Sequence, residues 1–248
     1  MPDLFSLTGK RALVTGGGGA IGRALAAALA DAGAAVAVVG RSESVDEAAE
    51  GFGGVAVRAD LADRDDLARG FEEAVDRLGG LDILVTSHGI VRRTEALDHE
   101  LDDWDEVLEV NLTSVFQLCQ LAGRIMLARG SGKIVNVASM LSFSGGVHIP
   151  SYAASKGGVA RLTQALANEW AGSGVNVNAI APGYIKTKLN ERIWRDDPVR
   201  KAEIDARIPA GRWGEPDDLR GAVVFLASAA ADYVHGEILA VDGGWLGR

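Results

Sequence analysis

The sequence predicts a single α/β domain: a doubly wound parallel sheet with helices on both faces. Three observations point there. Short β-branched apolar runs alternate with longer alanine- and leucine-rich stretches along the chain, and strands alternating with helices build parallel sheets. The short runs are apolar throughout, the pattern of strands buried on both faces. No linker, repeat or low-complexity tract divides the 248 residues, a length that one domain can organise around a substantial core.

Each element has a local reason. Arg11-Ala12-Leu13-Val14-Thr15 is short, apolar and β-branched and reads as the first buried strand. Gly16 to Gly19 form a turn, and the apolar, alanine-rich stretch 20–32 reads as a packed helix. Strands follow at 35–39 and 55–58, then a helix over 64–78 and a strand at 82–86. A long helix is expected from about 102 to 129, a strand at 133–137, a helix over 152–171 and a strand at 175–180. The polar segment 182–215 holds Trp194 and Trp213 and many charges. It is too long for a connector and reads as a lid or small helical insertion, with a variable substrate lid at about 184–214. A helix over 217–229 and a strand at 238–241 complete the pattern.

Composition removes several function classes. The net charge of −9, with no basic cluster, argues against a nucleic-acid surface. No segment approaches about 18 uninterrupted apolar residues, so no membrane span is expected. Cys119 is the only cysteine, so no intrachain disulfide forms and no thiolate metal cluster is expected. Met1-Pro2-Asp3-Leu4-Phe5 lacks the charged and apolar regions of a secretory signal. A cytoplasmic protein acting on a small-molecule substrate, with no metal, is the expectation.

Two constellations carry chemistry. Tyr152 and Lys156 lie four apart in a predicted helix, one turn from each other on one face. A free phenol titrates near ~10, and a neighbouring ammonium lowers that value by favouring the phenolate. Such a phenol can exchange a proton with an alcohol or carbonyl oxygen, and Ser139, thirteen positions upstream of Tyr152, can hydrogen-bond the same oxygen. The second constellation is the strand, glycine turn and helix start of residues 11–22. Bare backbone amides and the positive end of a helix suit a pyrophosphate, and the flanking strand and helix separate this arrangement from a merely flexible turn. Together they predict a Rossmann-like site for oxidation of an alcohol by a hydride acceptor.

With these residues in place, nearly the whole chain resembles the short-chain dehydrogenase/reductase family. The motif is Ser139 after the fifth strand, followed by Tyr152-Ala153-Ala154-Ser155-Lys156. The resemblance implies that Tyr152 is the general acid/base, that Lys156 lowers its pKa and binds the nicotinamide ribose, that Ser139 orients the substrate oxygen and that Asn111 completes a proton relay. It implies cofactor contacts at Gly16, Gly18, Gly19, Ala20, Ile21 and Gly22 in the turn, at Asp60 and Leu61 beside adenine, at Ser87, His88 and Gly89 after the fourth strand, and at Pro182, Gly183, Ile185 and Thr187 near the nicotinamide. Two positions depart from the family pattern. Ala20 replaces the middle glycine of the turn, a change that is tolerable if the residue is helical. Thr86-Ser87-His88-Gly89 stands where Asn-Asn-Ala-Gly is usual, so His88 adds a titratable ring that is either catalytic or, as the preferred reading, structural.

The end of the second strand selects the cofactor. An acid there would bind the adenine ribose and repel a 2′-phosphate. This chain has Gly40-Arg41-Ser42 instead, which favours NADP(H) over NAD(H). Gly19, where NADP-using relatives carry a second basic residue, pulls the other way and leaves NAD(H) open.

A closer resemblance, to the gluconate 5-dehydrogenases and 2-dehydro-3-deoxy-D-gluconate 5-dehydrogenases of the sugar-acid branch, lies in residues 138–143, 167–170, 208–214 and 240–246. It implies a small polyhydroxy carboxylate as substrate. Arg92, Arg93, Arg192 and Arg195 are the candidate cations for it, and Met140, His148 and Trp194 are further candidates for the substrate pocket beside Ser139 and Tyr152. Relatives assemble as homotetramers with two-fold symmetry, and the helices from 102 and 152 and the tail 240–248 are the expected surfaces. Two other functions compete: a 3-oxoacyl thioester reductase of the same family, and a non-catalytic dinucleotide-binding redox sensor.

Overall fold

The computed structural model describes residues 3–248; Met1 and Pro2, the start of the run read for a secretory signal, lie outside them. Seven strands form one parallel sheet: β1 (Arg11–Thr15), β2 (Ala35–Gly40), β3 (Val55–Arg58), β4 (Ile83–Thr86), β5 (Gly132–Val137), β6 (Val175–Pro182) and β7 (Ile238–Val241). Their spatial order is β3-β2-β1-β4-β5-β6-β7. The order therefore runs one way from β1 through β3 and the other way from β4 through β7. Between β1 and β4, where Val14 pairs with Val85, successive connections diverge and leave a crevice beyond the strand ends.

The strands are apolar on both faces because both faces are covered. Leu13, Leu84, Ile134 and Val177 pack with α3 (Arg64–Leu78), α5 (Ser114–Arg129) and α6 (Pro150–Trp170). The alternate residues Val14, Val38, Val85 and Val135 pack with α1 (Ala20–Asp31), α2 (Ser44–Glu50) and α9 (Arg220–Ala227). Each fully buried leucine contributes about 1.5–3 kcal/mol.

Three elements differ from expectation. The short helix α2 was not anticipated; it is acidic, and only Val45, Ala48 and Ala49 reach the core. The helix expected over 102–129 starts at Leu101 as α4 (Leu101–Leu108) and passes through a π turn, Glu109–Thr113, before α5. Hydrophobic spacing does not register one extra residue in a turn. Residues 216–219 form a 3₁₀ turn ahead of α9. The segment 184–214 carries two short helices, α7 (Glu191–Asp196) and α8 (Pro198–Asp205).

That segment has a pinned neck and an aromatic seat. Gly214 N–H donates to Tyr184 O at 2.9 Å and Lys186 N–H to Gly214 O at 2.9 Å. Beyond the neck, Ile204, Ile208 and Trp213 bury against Met140 and Trp245. Tyr184 packs between Trp213 and Trp245, with ring centroids 4.9 and 5.0 Å away.

The glycine turn needs its missing side chains. A methyl at Gly22 would overlap the carbonyl oxygen of Gly16, and a methyl at Gly16 would come within 2.8 Å of the His88 backbone. Neither neighbour is a flexible side chain. Gly22→Ala should therefore cost several kcal/mol, a penalty at the upper end for single changes. Gly221→Ala, on the open face of α9 with nothing near its Cβ, should be neutral or stabilising by up to ~1 kcal/mol. Urea melts of both variants check this; equal stabilities would contradict it.

Candidate active site

The crevice at the β1/β4 divergence holds the predicted constellations together. Ser87, His88 and Gly89 after β4, Ser139 after β5, Tyr152 and Lys156 on α6, and Pro182, Gly183, Ile185 and Thr187 after β6 line one cleft with Ile21 of α1. The cleft holds about 550 Å³ of space between its walls, part of it open to solvent.

One wall is the glycine turn. Gly16 adopts a left-handed φ of 67°, Gly18 leaves its Cβ position to the Ser44 side chain, and Gly19 precedes α1 without any side-chain cap. Ala20 is the first helical residue of α1, so its methyl is accommodated in helical geometry. The amides at this helix start carry the partial positive charge that suits a phosphate. Ser87 Oγ is buried with no hydrogen-bond partner. A cradle shaped by absent side chains and an orphaned hydroxyl fit a dinucleotide.

The rim of that cradle combines Arg41, Ser42 and Asp60. Arg41 lies 3.7 Å from Asp60, both exposed, and Ser42 Oγ is 2.7 Å from Ser44 Oγ. Asp60, expected beside adenine, faces Arg41 on this rim. Leu61 is different: its side chain is 7% exposed and belongs to the core with Leu67 and Phe71, which leaves only its backbone to face a cofactor.

Local structure fixes the other wall. Ser139 caps the 3₁₀ turn Met140–Ser142, accepting from Leu141 N–H at 3.1 Å. Ser142 Oγ donates to Lys156 O at 2.6 Å and so ties this turn to α6. Helix α6 starts with Pro150, whose fixed φ suits a first helical position. Asn111 is fully buried in the π turn. Its Oδ1 accepts from Ile90 N–H at 2.8 Å, and its Nδ2 donates to Ile90 O at 2.9 Å and to Ser155 Oγ at 3.1 Å. Ser155, between Tyr152 and Lys156, donates to Tyr152 O at 2.8 Å. A methyl on Gly89 would lie 3.2 Å from Asn111 Oδ1 and 3.8 Å from Lys156 Nζ, so these groups converge on one point.

The charges differ from the sequence expectation. Lys156 Nζ donates to Val137 O at 2.7 Å and lies 5.9 Å from the Tyr152 ring centroid. Burial pushes the lysine down to about 8. Burial also raises the Tyr152 phenol, against the Ser139 hydroxyl and the Arg93 guanidinium, which favour the phenolate. The ammonium was expected to lower the phenol below its ordinary value; here desolvation outweighs the charges near it. His88 is driven down to about 3, first by burial and then by the nearby Lys156 charge. Its ring is neutral and hydrogen-bonded on both sides, with Nδ1 2.7 Å from Thr15 Oγ1 and Nε2 2.6 Å from Ser114 Oγ. This is the structural imidazole.

The four candidate arginines separate. Arg92 is taken by Asp103 at 3.3 Å and Glu106 at 2.6 Å, and Arg195 by Glu191 at 2.8 Å. Arg93 reaches Asn190 Oδ1 at 3.3 Å, and its charge bears on Tyr152 and Tyr184. Arg192 is close enough to oppose the charge on Arg93 and makes no ion pair among the described residues. Met140 is buried in the aromatic seat and does not line the cleft. His148 is exposed, with a left-handed φ of 61°, and only its carbonyl is engaged, by Thr94 N–H at 3.0 Å. Trp194 supports the wall indirectly, donating to Thr187 O at 3.3 Å. Leu189 and Asn190, which line the cleft, had no signal in the sequence beyond following Thr187.

A larger depression, of about 1000 Å³, opens at the opposite end of the strands. Its charges satisfy each other: Asp82 pairs with Arg11 and Arg129, and Lys133 with Asp232. Among the described residues no cluster of His, Cys, Asp or Glu could hold a metal, and no helix is long and apolar enough to cross a membrane.

Comparison with known proteins agrees with this geometry. A family model described as enoyl-(acyl carrier protein) reductase matches residues 18–246. The 2-dehydro-3-deoxy-D-gluconate 5-dehydrogenase of Bacillus subtilis is 52% identical, over 99% of this chain and 98% of the relative. The chain belongs to the short-chain dehydrogenase/reductase family. A gluconate 5-dehydrogenase from Burkholderia cenocepacia, solved in complex with NADP and tartrate, superposes with a TM-score of 0.93 at 42% identity, covering 99% of this chain and 98% of that one. A Beutenbergia cavernae protein solved with NADP at low occupancy gives 0.94 at 51% identity, covering 99% and 100%. The single-domain parallel fold and the family resemblance read from the motifs are therefore correct.

Buried lysine and tyrosine leave a thermodynamic mark. Between pH about 8 and the ordinary lysine value of 10.5, Lys156 holds fewer protons folded than unfolded. Stability should rise with pH through that window. Tyr152, raised above 10.0, opposes the rise only once its unfolded phenol ionises. Thermal melts of wild type and Lys156→Met from pH 7.5 to about 9.5 should show an upward slope in the wild type that is reduced in the variant. Parallel curves would exclude the burial argument.

Proposed function

We propose that the protein is an oxidoreductase that moves a hydride between NADP(H) and an alcohol or ketone carbon of a small sugar acid. The observation that carries this reading is the convergence of Ser139, Tyr152 and Lys156 on one cleft, with an arginine charge beside the phenol. The relatives named for gluconate and 2-dehydro-3-deoxy-D-gluconate support the substrate class, and those solved with NADP support the cofactor.

The bound dinucleotide supplies the hydride acceptor or donor. In this reading the turn from Gly16 to Gly22 holds its pyrophosphate, Arg41 with Ser42 receives the 2′-phosphate, and Ser87, Gly89, Pro182, Gly183, Ile185 and Thr187 border the nicotinamide half. The substrate oxygen sits between the Ser139 hydroxyl and the Tyr152 phenol. Ser139 orients it, and Tyr152 accepts its proton in oxidation or returns one in reduction. Lys156 holds the ribose and supplies positive charge that favours the phenolate. Asn111, fixed by Ile90 and Ser155, orders the relay that refills Tyr152. The substrate carboxylate lies between Arg93 and Arg192, two cations whose mutual repulsion an anion would relieve.

The segment 184–214 acts as the substrate cover, swinging about its neck. Leu101 on α4 and Phe116 on α5 are exposed apolar side chains on the helical surface expected to pair in a cytoplasmic homotetramer with two-fold symmetry.

Turnover on a panel of sugar acids, neutral polyols and 3-oxoacyl thioesters, with each cofactor, tests the reading. A sugar acid with NADP should give the highest kcat/KM, at least about tenfold above NAD, and Tyr152→Phe should lower kcat by about 100-fold or more. Arg93→Ala should raise KM for the sugar acid about tenfold, by removing a charged contact, and change that for a polyol much less. Preference for a thioester, or an equal Arg93 effect on both substrates, would overturn the corresponding assignment.

A further inference from the structure

We propose that His88 is a positioning residue for the proton relay, tying the π turn that presents Asn111 to the end of β1 beneath the glycine turn. This rests on the roles given above to Tyr152 and Asn111 and adds a residue that hydrogen-bonds to neither of them.

One assignment of protons satisfies the shortest hydrogen bonds around His88, with Thr15 Oγ1 also 3.5 Å from the Val85 carbonyl oxygen. Ser114 Oγ has a single proton and donates it to Val110 O at 2.7 Å. In that assignment it accepts from His88 Nε2, 2.6 Å away. A neutral imidazole carries one N–H, so Nδ1 is bare and accepts from Thr15 Oγ1 at 2.7 Å. Thr15 Oγ1 accepts in turn from Ser87 N–H at 3.3 Å. Thr15 and Ser114 are fully buried and His88 is 8% exposed, so water does not compete for these positions.

The chain of bonds ends where the helix is irregular. In a regular helix Ser114 N–H would bond the carbonyl of Val110; in the π turn it bonds Glu109 instead. The Ser114 hydroxyl takes over at Val110, and His88 fixes that hydroxyl's direction. Asn111, the next residue, holds Ile90 and Ser155 from the same turn. At the other end, the His88 backbone packs against Gly16, where a side chain would lie 2.8 Å from it. One imidazole thus links the start of the dinucleotide cradle to the relay. Alanine, usual at this position in the family motif, would leave two buried hydroxyls here without their partner.

The test uses His88→Ala, Ser114→Ala and the double variant, with the fastest substrate of the panel above. In each single variant kcat should fall about tenfold, with KM and the NADPH dissociation constant within about twofold. The solvent deuterium isotope effect on kcat should increase as proton delivery becomes slower. The double variant should be no slower than His88→Ala, because both act through one chain of bonds. Wild-type kcat and isotope effect in His88→Ala would overturn the proposal. So would additive losses with KM and kcat impaired together, the mark of a packing role. Should His88→Ala not fold, Ser114→Ala and Thr15→Val decide by the same two readouts. Turnover surviving in Tyr152→Phe would instead remove the underlying reading.

Discussion

The architecture of the site depends on one close backbone contact at the reversal of strand order. Gly16 leaves β1 with a left-handed φ and meets the backbone of His88 leaving β4. Without a Cβ there, the two strand ends draw together and the crevice between them has a floor. Gly22 in the first turn of α1 packs onto the Gly16 carbonyl, which brings the helix start to the same place. The cradle and the catalytic wall are adjacent because this contact is closed, and parallel pairing of β1 with both β2 and β4 leaves no slack to open it.

Burial has opposite effects on the two halves of the site. In the cradle it isolates backbone amides and strengthens their field. On the wall of Ser139, Tyr152 and Lys156 it disfavours charge on both Lys156 and Tyr152, and the Val137 carbonyl, the Ser139 hydroxyl and the Arg93 guanidinium offset only part of that cost. With the amine lowered to about 8 and the phenol raised above 10.0, the two lie further apart in proton affinity than in water.

Much of this was legible in the sequence because it follows from local patterns. Uniformly apolar strands announced a sheet covered on both faces, and the spacing of Ser139, Tyr152 and Lys156 announced one wall. The π turn was not legible, because it accompanies the contact of Asn111 with Ile90, twenty-one residues back in the chain. The fate of each arginine was hidden for a similar reason: Arg92 and Arg93 are neighbours, yet α4 supplies carboxylates to one and not to the other. Leu61 read as a cofactor contact from its motif, while its side chain went to the core. His88 stood out as a departure from the family pattern, but its meaning needed Ser114 and Thr15, which no motif connects.

The aromatic seat of the segment 184–214 draws on Met140, Trp213 and Trp245, three residues from distant stretches of the chain. None of them lies in a strand, and the neck at Tyr184 and Gly214 is short. In the proposed reading of this segment as a substrate cover, these contacts would let it come loose as a unit while the sheet stays intact, at a fraction of the free energy of global unfolding. On that reading, substrate entry and protein lifetime would be set by separate sets of contacts, and the choice of substrate could change without disturbing the glycine turn.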